Sequence, residues 1–251
     1  MSENFNRYSQ YYDLLYATKP YKAEADYVLD HVEKMRPVSP ALLELGSGTG
    51  NHAQHFAARG FAVTGVERSE LMGKLSLAKN IPMFEHVHSD MTSFSIDKKF
   101  DLAVSLFHSI CYLTSNEQLI KCFRNVREHL NPDGIFCFDF WYGPAVLQDV
   151  QSTRERVVEN EGMRINRRSK TEMFTERNVA VVHYEMDVFD GQANHLEQIR
   201  ESHPMRYLSI PEVDLICAQT GFRLVTAETF MTGGTPDSNT WNVLSILQRI
   251  D

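Results

Sequence analysis

Three glycines at two-residue spacing follow a short apolar run in residues 41–50, ALLELGSGTG, and this stretch constrains the fold more than any other. An amphipathic segment, residues 51–59, comes directly after it. A strand, a glycine turn and a helix in this order are typical of open α/β folds, which bind nucleotides at the carboxyl edge of the sheet. Because glycines leave the main chain bare, a ligand can lie against it. The sequence therefore predicts an α/β fold with a ligand site at this turn.

The spacing and the charge of the turn restrict the ligand. Pyrophosphate-binding turns carry their third glycine where this chain has Asn51, and no lysine closes the turn as it does in a phosphate-binding P-loop. Glu44, at the strand end, would repel phosphates but can accept a hydrogen bond from an ammonium group. A positively charged nucleoside fits, which favours S-adenosylmethionine as the cofactor. An NAD-linked oxidoreductase is a weaker alternative, because that third glycine is missing.

The remaining pattern predicts a doubly wound, seven-stranded sheet. Apolar segments alternate with helical ones as far as residue 140, and strands this apolar are typical of a parallel sheet covered on both faces. The expected strands are residues 41–45, 61–66, 83–88, 100–107 and 135–140, with helices at 8–36, 51–59, 69–78 and 115–130. A helix at 210–220 and strands at 222–230 and 241–248 complete the sheet.

An antiparallel β insertion interrupts this pattern after strand five. Long alternating segments predict strands at residues 164–173, 178–189 and 196–208. The chain divides into an N-terminal helical lid at 1–40, a cofactor-binding domain at 41–149 and 207–251, and the insertion at 150–206. A basic cluster in the insertion could line an acidic acceptor, but protection of an exposed edge strand is favoured; its members are Arg164, Arg167, Arg168 and Lys170.

Three acidic side chains come at the ends of the first three strands. Glu44, Glu67 and Asp90 should surround one crevice, since the carboxyl ends of parallel strands meet at one edge of a sheet. Glu67 is placed to accept hydrogen bonds from both ribose hydroxyls, and Asp90 from an adenine amino group beside the Met91 N–H. Any one of these acids could simply be a solvated residue at a strand end. That explanation accounts poorly for three acids in register with a glycine turn.

These motifs resemble those of the class I S-adenosylmethionine-dependent methyltransferases, which have a Rossmann-like fold. The resemblance rests on residues 44–50, 66–69, 88–91 and 100–104. It implies a cofactor site formed by Tyr12, Tyr21, Glu44, Gly46, Gly48, Gly50, Glu67, Arg68, Asp90, Met91 and Leu106. Within this site the glycine turn would cradle the methionine part, and the Leu106 carbonyl would lie near its ammonium group.

Four further segments resemble the sugar-nucleotide N-methyltransferases, including the dTDP-amino-sugar N,N-dimethyltransferases. They are residues 12–16, 21–25, 106–110 and 141–144. The resemblance implies N-methylation of an amino-sugar nucleotide, N-terminal tyrosines over the cofactor, and an insertion that helps to build the acceptor pocket. Two positions depart from the family pattern. Tyr112 stands where the family has a histidine near the methyl group, and residues 237–241 replace a late glycine–arginine segment.

Polar side chains near the fourth and fifth strand ends are candidates for contact with the methyl acceptor. The candidate catalytic residues are His108, Tyr112 and Tyr8, and the candidate substrate residues are Asp139, Trp141, Tyr142, His203 and Arg206. Tyr112 could instead fill the core, and His203 and Arg206 could lie on an exposed strand face. A hydroxyl acceptor usually needs a base, whereas a deprotonated amine does not. O-methylation of another small molecule and a non-catalytic adenosyl-binding module stay open as alternatives.

Composition limits the partners. The chain has 25 basic and 33 acidic residues, a net charge of −8, which argues against a nucleic-acid-binding face. No apolar run approaches the roughly 20 residues of a membrane-spanning helix, so we expect no membrane partner and a cytoplasmic location. The four cysteines form no Cys-x-x-Cys pair, which predicts reduced thiols. A zinc site at His52, His55, His86 and His88 is conceivable, but no carboxylate or cysteine spacing supports it, so no metal is expected. A small-molecule acceptor is expected, and the insertion offers a surface for a possible homodimer.

Overall fold

The computed structural model describes residues 7–149, 153–160 and 162–250, which form a seven-stranded and a four-stranded sheet with seven α-helices. The strands are β1 Ala41–Leu45, β2 Ala62–Glu67, β3 Phe84–His88, β4 Phe100–Ser105, β5 Leu130–Trp141, β6 Thr153–Asn160, β7 Met163–Phe174, β8 Val179–Asp190, β9 His195–Arg206, β10 Phe222–Thr229 and β11 Asn242–Arg249. The helices are α1 Tyr12–Leu15, α2 Tyr21–Met35, α3 Ala53–Ala58, α4 Glu70–Ala78, α5 Asn116–His129, α6 Gly143–Val146 and α7 Ile210–Thr220.

The large sheet has the strand order β10-β11-β5-β4-β1-β2-β3. Strands β1 to β5 pair in parallel, whereas β11 runs antiparallel between β5 and β10. The chain order reverses between β1 and β4, so the carboxyl ends of these strands open onto the crevice where such sheets bind ligands. The predicted Rossmann-like, doubly wound, seven-stranded sheet is confirmed.

Helices cover both faces of this sheet because each one presents an apolar stripe to it. Val28, Val32 and Phe56, from α2 and α3, are buried against one face. Phe123 and Val213, from α5 and α7, are buried against the other. Full burial of one such side chain stabilises the fold by about 1.5–3 kcal/mol. The two apolar layers therefore hold the strand ends, and the residues on them, in fixed positions.

The insertion is a four-stranded antiparallel sheet with the order β6-β7-β8-β9. Its first strand, β6, was not predicted, because four of its eight residues are charged and most are exposed. The structure also corrects the interpretation of the basic cluster. Its members lie on β7, which pairs with β6 on one side and β8 on the other, so they do not protect an edge strand. Backbone hydrogen bonds to β7 make β6 a strand, although its hydrophobic pattern does not indicate one.

The N-terminal segment packs on the inserted sheet. Tyr8 and Leu15 are buried in one cluster with Ile165, Met186 and Ile199 from three inserted strands. This packing places the first short helices between the inserted sheet and the carboxyl ends of β1 and β4. The predicted lid segment therefore has a defined place in the fold from residue 7 onward.

The four cysteines are buried free thiols. Burial raises the pKa of the Cys111, Cys122 and Cys137 thiols, which keeps them protonated and unreactive. Among the described residues, no group of three His, Cys, Asp or Glu side chains is placed to hold a metal ion. Within the same residues, no helix is both long and apolar enough to cross a membrane.

Candidate active site

A cavity of about 270 Å³ lies at the carboxyl ends of β1 to β4, under the N-terminal segment and beside the inserted sheet. It brings together side chains from all three predicted parts of the chain. The predicted site residues that line it are Tyr8, Tyr12, Gly46, Gly48, Glu67, Arg68, Asp90, Met91, His108, Tyr112, Trp141 and His203. Residues predicted for the cofactor and residues predicted for the acceptor thus share one cavity.

The glycine turn forms one wall of this cavity. Gly46 and Gly48 have φ of +65° and +54°, a left-handed conformation that favours glycine. The Gly46 N–H donates to the Val66 carbonyl at 2.8 Å, which ties the turn to β2. A Cβ at Gly48 would meet only the Met72 sulfur, at 3.7 Å, and Met72 itself lines the cavity. The main chain at Gly48 is therefore open on the cavity side.

Backbone hydrogen bonds fix the carboxylates on the next two strand ends. Glu67 accepts from the Gly48 N–H at 3.0 Å and from the Ser69 N–H at 2.7 Å. Burial nevertheless raises the pKa of the Glu67 carboxyl. Asp90 accepts from the Thr92 N–H at 2.8 Å and from its hydroxyl at 2.7 Å. Each carboxylate is held at the cavity wall with lone pairs left for a ligand, because a carboxylate accepts about four hydrogen bonds.

Glu44 does not line the large cavity, although it was predicted to contact the cofactor. Among the described residues its Oε2 and the Ser47 hydroxyl are buried without a hydrogen-bond partner. Ser47 lines a small adjoining cavity of about 30 Å³, together with Tyr21 and Leu106. Buried polar atoms normally have partners. Polar atoms left without them beside a glycine turn fit a ligand with an ammonium and a carboxylate group, as the methionine part of S-adenosylmethionine has.

Replacing Glu44 by glutamine should stabilise the protein at alkaline pH. Burial, and then the charge of Glu67, raise the pKa of the Glu44 carboxyl to about 8 from an ordinary 4.5. Since the folded pKa is the higher one, stability falls as the pH rises from the ordinary value to the raised one. We expect Glu44→Gln to raise Tm at pH 8 by several degrees, on the order of 2 kcal/mol, and to leave Tm at pH 5 nearly unchanged. Calorimetry at the two pH values checks this, and an equal shift at both would contradict it.

His108 is held by Asp139, a buried side chain that does not itself line the cavity. Asp139 accepts from the His108 N–H at 3.0 Å, and its other oxygen lies 2.8 Å from the His108 Nδ1. Burial would raise the pKa of the Asp139 carboxyl, but the proximity of His108 lowers it below its ordinary value. The ionised carboxylate therefore orients the ring with Nδ1 toward itself, which leaves Nε2 for the cavity. Asp139 was predicted to contact the substrate directly. In the structure it orients His108 instead.

A second chain of polar groups reaches the cavity from the inserted sheet. The Tyr112 hydroxyl lies 2.8 Å from the His203 Nδ1, and the His203 Nε2 lies 3.2 Å from a Glu201 carboxylate oxygen. Because a carboxylate only accepts, the His203 Nε2 is the donor to Glu201. Burial raises the pKa of Tyr112 well above its ordinary value, so the hydroxyl stays neutral. The Tyr112 side chain lines the cavity, as His108 does.

The N-terminal tyrosines are bound to the inserted sheet by Arg167. The hydroxyls of Tyr8 and Tyr16 lie 2.9 Å apart, and Arg167 donates to them at 3.0 and 3.1 Å. The Tyr8 N–H donates to Glu201 at 3.1 Å. Burial raises the pKa of Tyr8 well above its ordinary value, so this hydroxyl is neutral too. Tyr8 thus serves to anchor the segment above the cavity.

Three further predicted site residues lie outside the large cavity. A Cβ on Gly50 would lie 2.8 Å from Ile81, so this glycine permits close packing and does not face the ligand space. Arg206 is buried and its Nη2 lies 3.3 Å from a Glu212 oxygen. Tyr142 is half-buried and borders neither the large cavity nor the small one. Contact of these three with a cofactor or substrate is not supported by their positions.

Several cavity residues were not predicted as site residues. Tyr16, Phe107, Tyr184 and Trp241 all line the cavity. Tyr184 lies on β8 and faces inward. Its place among alternating polar residues of an inserted strand could have identified it as a site residue from the sequence. Phe107 follows β4 with φ of +58°, and no sequence pattern indicated this backbone conformation.

Comparisons with known proteins find similarity to methyltransferases. A family model described as a methyltransferase domain matches residues 42–134. The dTDP-3-amino-3,4,6-trideoxy-alpha-D-glucopyranose N,N-dimethyltransferase of Streptomyces venezuelae is 34% identical over 140 residues, which are 55% of this chain and 59% of that protein. The dTDP-3-amino-3,6-dideoxy-alpha-D-glucopyranose N,N-dimethyltransferase of Streptomyces fradiae is 27% identical over 90% of this chain and 86% of its own length. The solved structure of Streptomyces venezuelae DesVI has a TM-score of 0.81 and 25% identity, and the match covers 95% of this chain and 97% of that one. The first of these relatives is matched over less than two thirds of its length.

Proposed function

We propose that this chain is an S-adenosylmethionine-dependent methyltransferase and that it methylates the amino group of a nucleotide-linked amino sugar. The match of residues 42–134 to a methyltransferase domain and the likeness to the DesVI structure support this proposal. The match to a methyltransferase domain and the dimethyltransferase relatives support the predicted enzyme class and its cofactor, S-adenosylmethionine. The two curated relatives named above are dTDP-amino-sugar N,N-dimethyltransferases, which supports the choice of acceptor.

The proposal rests mainly on one observation. The same cavity is lined by residues predicted to bind the cofactor and by two groups that can accept a proton or a hydrogen bond. Gly48 and Glu67 line one part of it, and His108 and Tyr112 line another. An acceptor amine lying between His108 and Tyr112 would share the cavity with the methyl donor. Three tyrosines of the N-terminal segment, Tyr8, Tyr12 and Tyr16, also line this space.

S-adenosylmethionine supplies a methyl group on a positively charged sulfur, so the protein has mainly to bring a nucleophile into line with it. An amino sugar is largely protonated near neutral pH and must lose one proton before its nitrogen can attack. The His108 Nε2 takes that proton, and the Asp139 carboxylate stabilises the resulting imidazolium. The Tyr112 oxygen accepts a second N–H from the same amine. Tyr112 is thus a positioning residue and His108 the general base.

Removing the Tyr112 hydroxyl should weaken acceptor binding. We expect Tyr112→Phe to raise the acceptor KM about tenfold, the worth of one hydrogen bond to a charged group, with a smaller effect on kcat. Affinity for S-adenosylhomocysteine should not change. Tyr27→Phe is the matched control, since that hydroxyl bonds Glu228 at 2.6 Å and lines neither cavity. Equal effects of the two substitutions on KM would show that Tyr112 has no special role.

The proposed function is tested in two steps. Calorimetric titration with S-adenosylhomocysteine measures cofactor binding, and methyl incorporation is then followed with nucleotide-linked amino sugars and with the matching hydroxy sugars. Methylation of the amines alone supports the proposal. Methylation of only the hydroxy sugars would replace it with O-methylation, and a protein that binds cofactor but methylates neither would be a binding module.

We further propose that the protein works in the cytoplasm on small molecules, as a homodimer, and does not act on nucleic acids. The buried free thiols support the cytoplasmic location, and the net charge of −8 argues against nucleic-acid binding. Light scattering tests the dimer, and a gel-shift assay at low salt tests nucleic-acid binding.

A further inference from the structure

A second cavity, of about 160 Å³, lies beside the first. Trp141, Tyr184 and Trp241 line both cavities, so these three aromatic side chains form the wall that the two share. The other side of the second cavity is the inward face of the inserted sheet. The methyl transfer proposed above uses none of its remaining residues.

Three arginines line this second cavity: Arg154, Arg156 and Arg167. Arg156 on β6 and Arg167 on β7 are directly opposite each other in the antiparallel register. Like charges in that relation destabilise a sheet, and a guanidinium does not lose its charge in a protein. The sheet therefore carries a repulsive pair on the face that borders the cavity.

The acidic residues that border the cavity do not neutralise this pair. Asp149 forms an ion pair with Arg154, and Glu155 forms one at 2.9 Å with Arg168, which does not line the cavity. Within the described part of the chain, neither Arg156 nor Arg167 has a carboxylate at ion-pair distance. Arg156 donates only a long bond, 3.4 Å, to the Thr18 hydroxyl. Arg167 donates to the hydroxyls of Tyr8 and Tyr16 and lies over the rings of Tyr16 and Tyr184.

We propose that this second cavity binds the diphosphate group of a nucleotide-linked acceptor, with Arg156 and Arg167 as the groups that hold it. The inference rests on the proposed function and specifies which part of the acceptor lies where. An anion between the two guanidinium groups removes their repulsion, and the planar N–H forks of arginine match phosphate oxygens. The sugar then lies at the shared aromatic wall, with its amine in the first cavity between His108 and Tyr112.

Calorimetry of the full-length protein saturated with S-adenosylhomocysteine tests this, with thymidine diphosphate as the titrant. Arg156→Met should weaken thymidine diphosphate binding about tenfold or more, because a charge-assisted contact is lost. Arg164→Met is the matched control. Arg164 lies on the same sheet, is exposed, pairs with Glu159 at 3.4 Å and borders neither cavity, so we expect less than about a twofold change. Thymidine, which lacks the phosphates, should bind more weakly than thymidine diphosphate.

The outcomes separate this inference from the proposed function. If thymidine diphosphate does not bind, or if both substitutions weaken it equally, the diphosphate site is wrong, while cofactor binding and amine methylation would still support the methyltransferase. If S-adenosylhomocysteine itself fails to bind, the proposed function fails first. Selective loss in Arg156→Met, with unchanged affinity for S-adenosylhomocysteine, is the result that we expect.

Discussion

Gly48→Ala is expected to weaken the binding of S-adenosylhomocysteine about 30-fold, which corresponds to about 2 kcal/mol. The new methyl group would stand on the open, cavity side of the glycine turn, where the ligand lies against the main chain. The protein around Gly48 has room for it, since only the Met72 sulfur lies within 4 Å, at 3.7 Å. The loss is therefore a loss of ligand space, and it is measured by calorimetric titration.

Gly60→Ala separates that effect from backbone strain. Gly60 also has a positive φ, +90°, but nothing lies within 4 Å of its Cβ position and it lines neither cavity. An alanine in this conformation costs about 1–2 kcal/mol of stability. We expect Gly60→Ala to lower Tm and to leave ligand affinity unchanged. A similar loss of affinity in both variants would mean that the turn does not contact the cofactor.

Asp139→Asn is expected to lower kcat about 100-fold, within the range that a positioned general base contributes. An asparagine amide lacks the negative charge that lies 2.8 Å from the His108 Nδ1, so the ring loses the charge that stabilises its protonated form. Steady-state kinetics with the amine acceptor measures the effect. Affinity for S-adenosylhomocysteine should stay the same, because Asp139 does not line the cavity.

A carboxylate with similar hydrogen bonds elsewhere serves as the control for Asp139. Asp101 accepts from the Ser39 N–H at 2.9 Å and from the Asn131 amide at 2.8 Å, away from both cavities. Asp101→Asn should change stability but not kcat. If Asp139→Asn leaves kcat within a factor of about two of the unchanged enzyme, His108 is not the base.

The centre of the large sheet was predictable because its strands are mostly buried and rich in apolar residues. Residues 41–45 and 100–105 show this pattern, each with one charged residue, and both are strands in the structure. The first inserted strand, Thr153–Asn160, gave no such signal, since it is largely exposed. Its existence depends on hydrogen bonds to β7, which are a property of the folded chain and not of its own sequence.

The candidate site divides in the same way. Glu67 and Asp90 could be placed together because parallel strands of known order share a carboxyl edge. The pairing of Tyr112 with His203 could not, because 91 positions separate them and only the docking of the inserted sheet brings them to 2.8 Å. The bonds of Glu201 and Arg167 to the N-terminal segment could not be predicted for the same reason. Their partners are N-terminal residues more than 150 positions away along the chain.

The bonds that join Tyr8 to Arg167 and Glu201 limit how enzymes of this architecture can be recombined. A hybrid that received a foreign inserted sheet but kept its own amino terminus would lose both bonds and leave buried polar atoms unsatisfied. Altered acceptor preference should therefore be sought by transplanting the first helical turns and the inserted sheet as one unit, although they lie far apart in the gene.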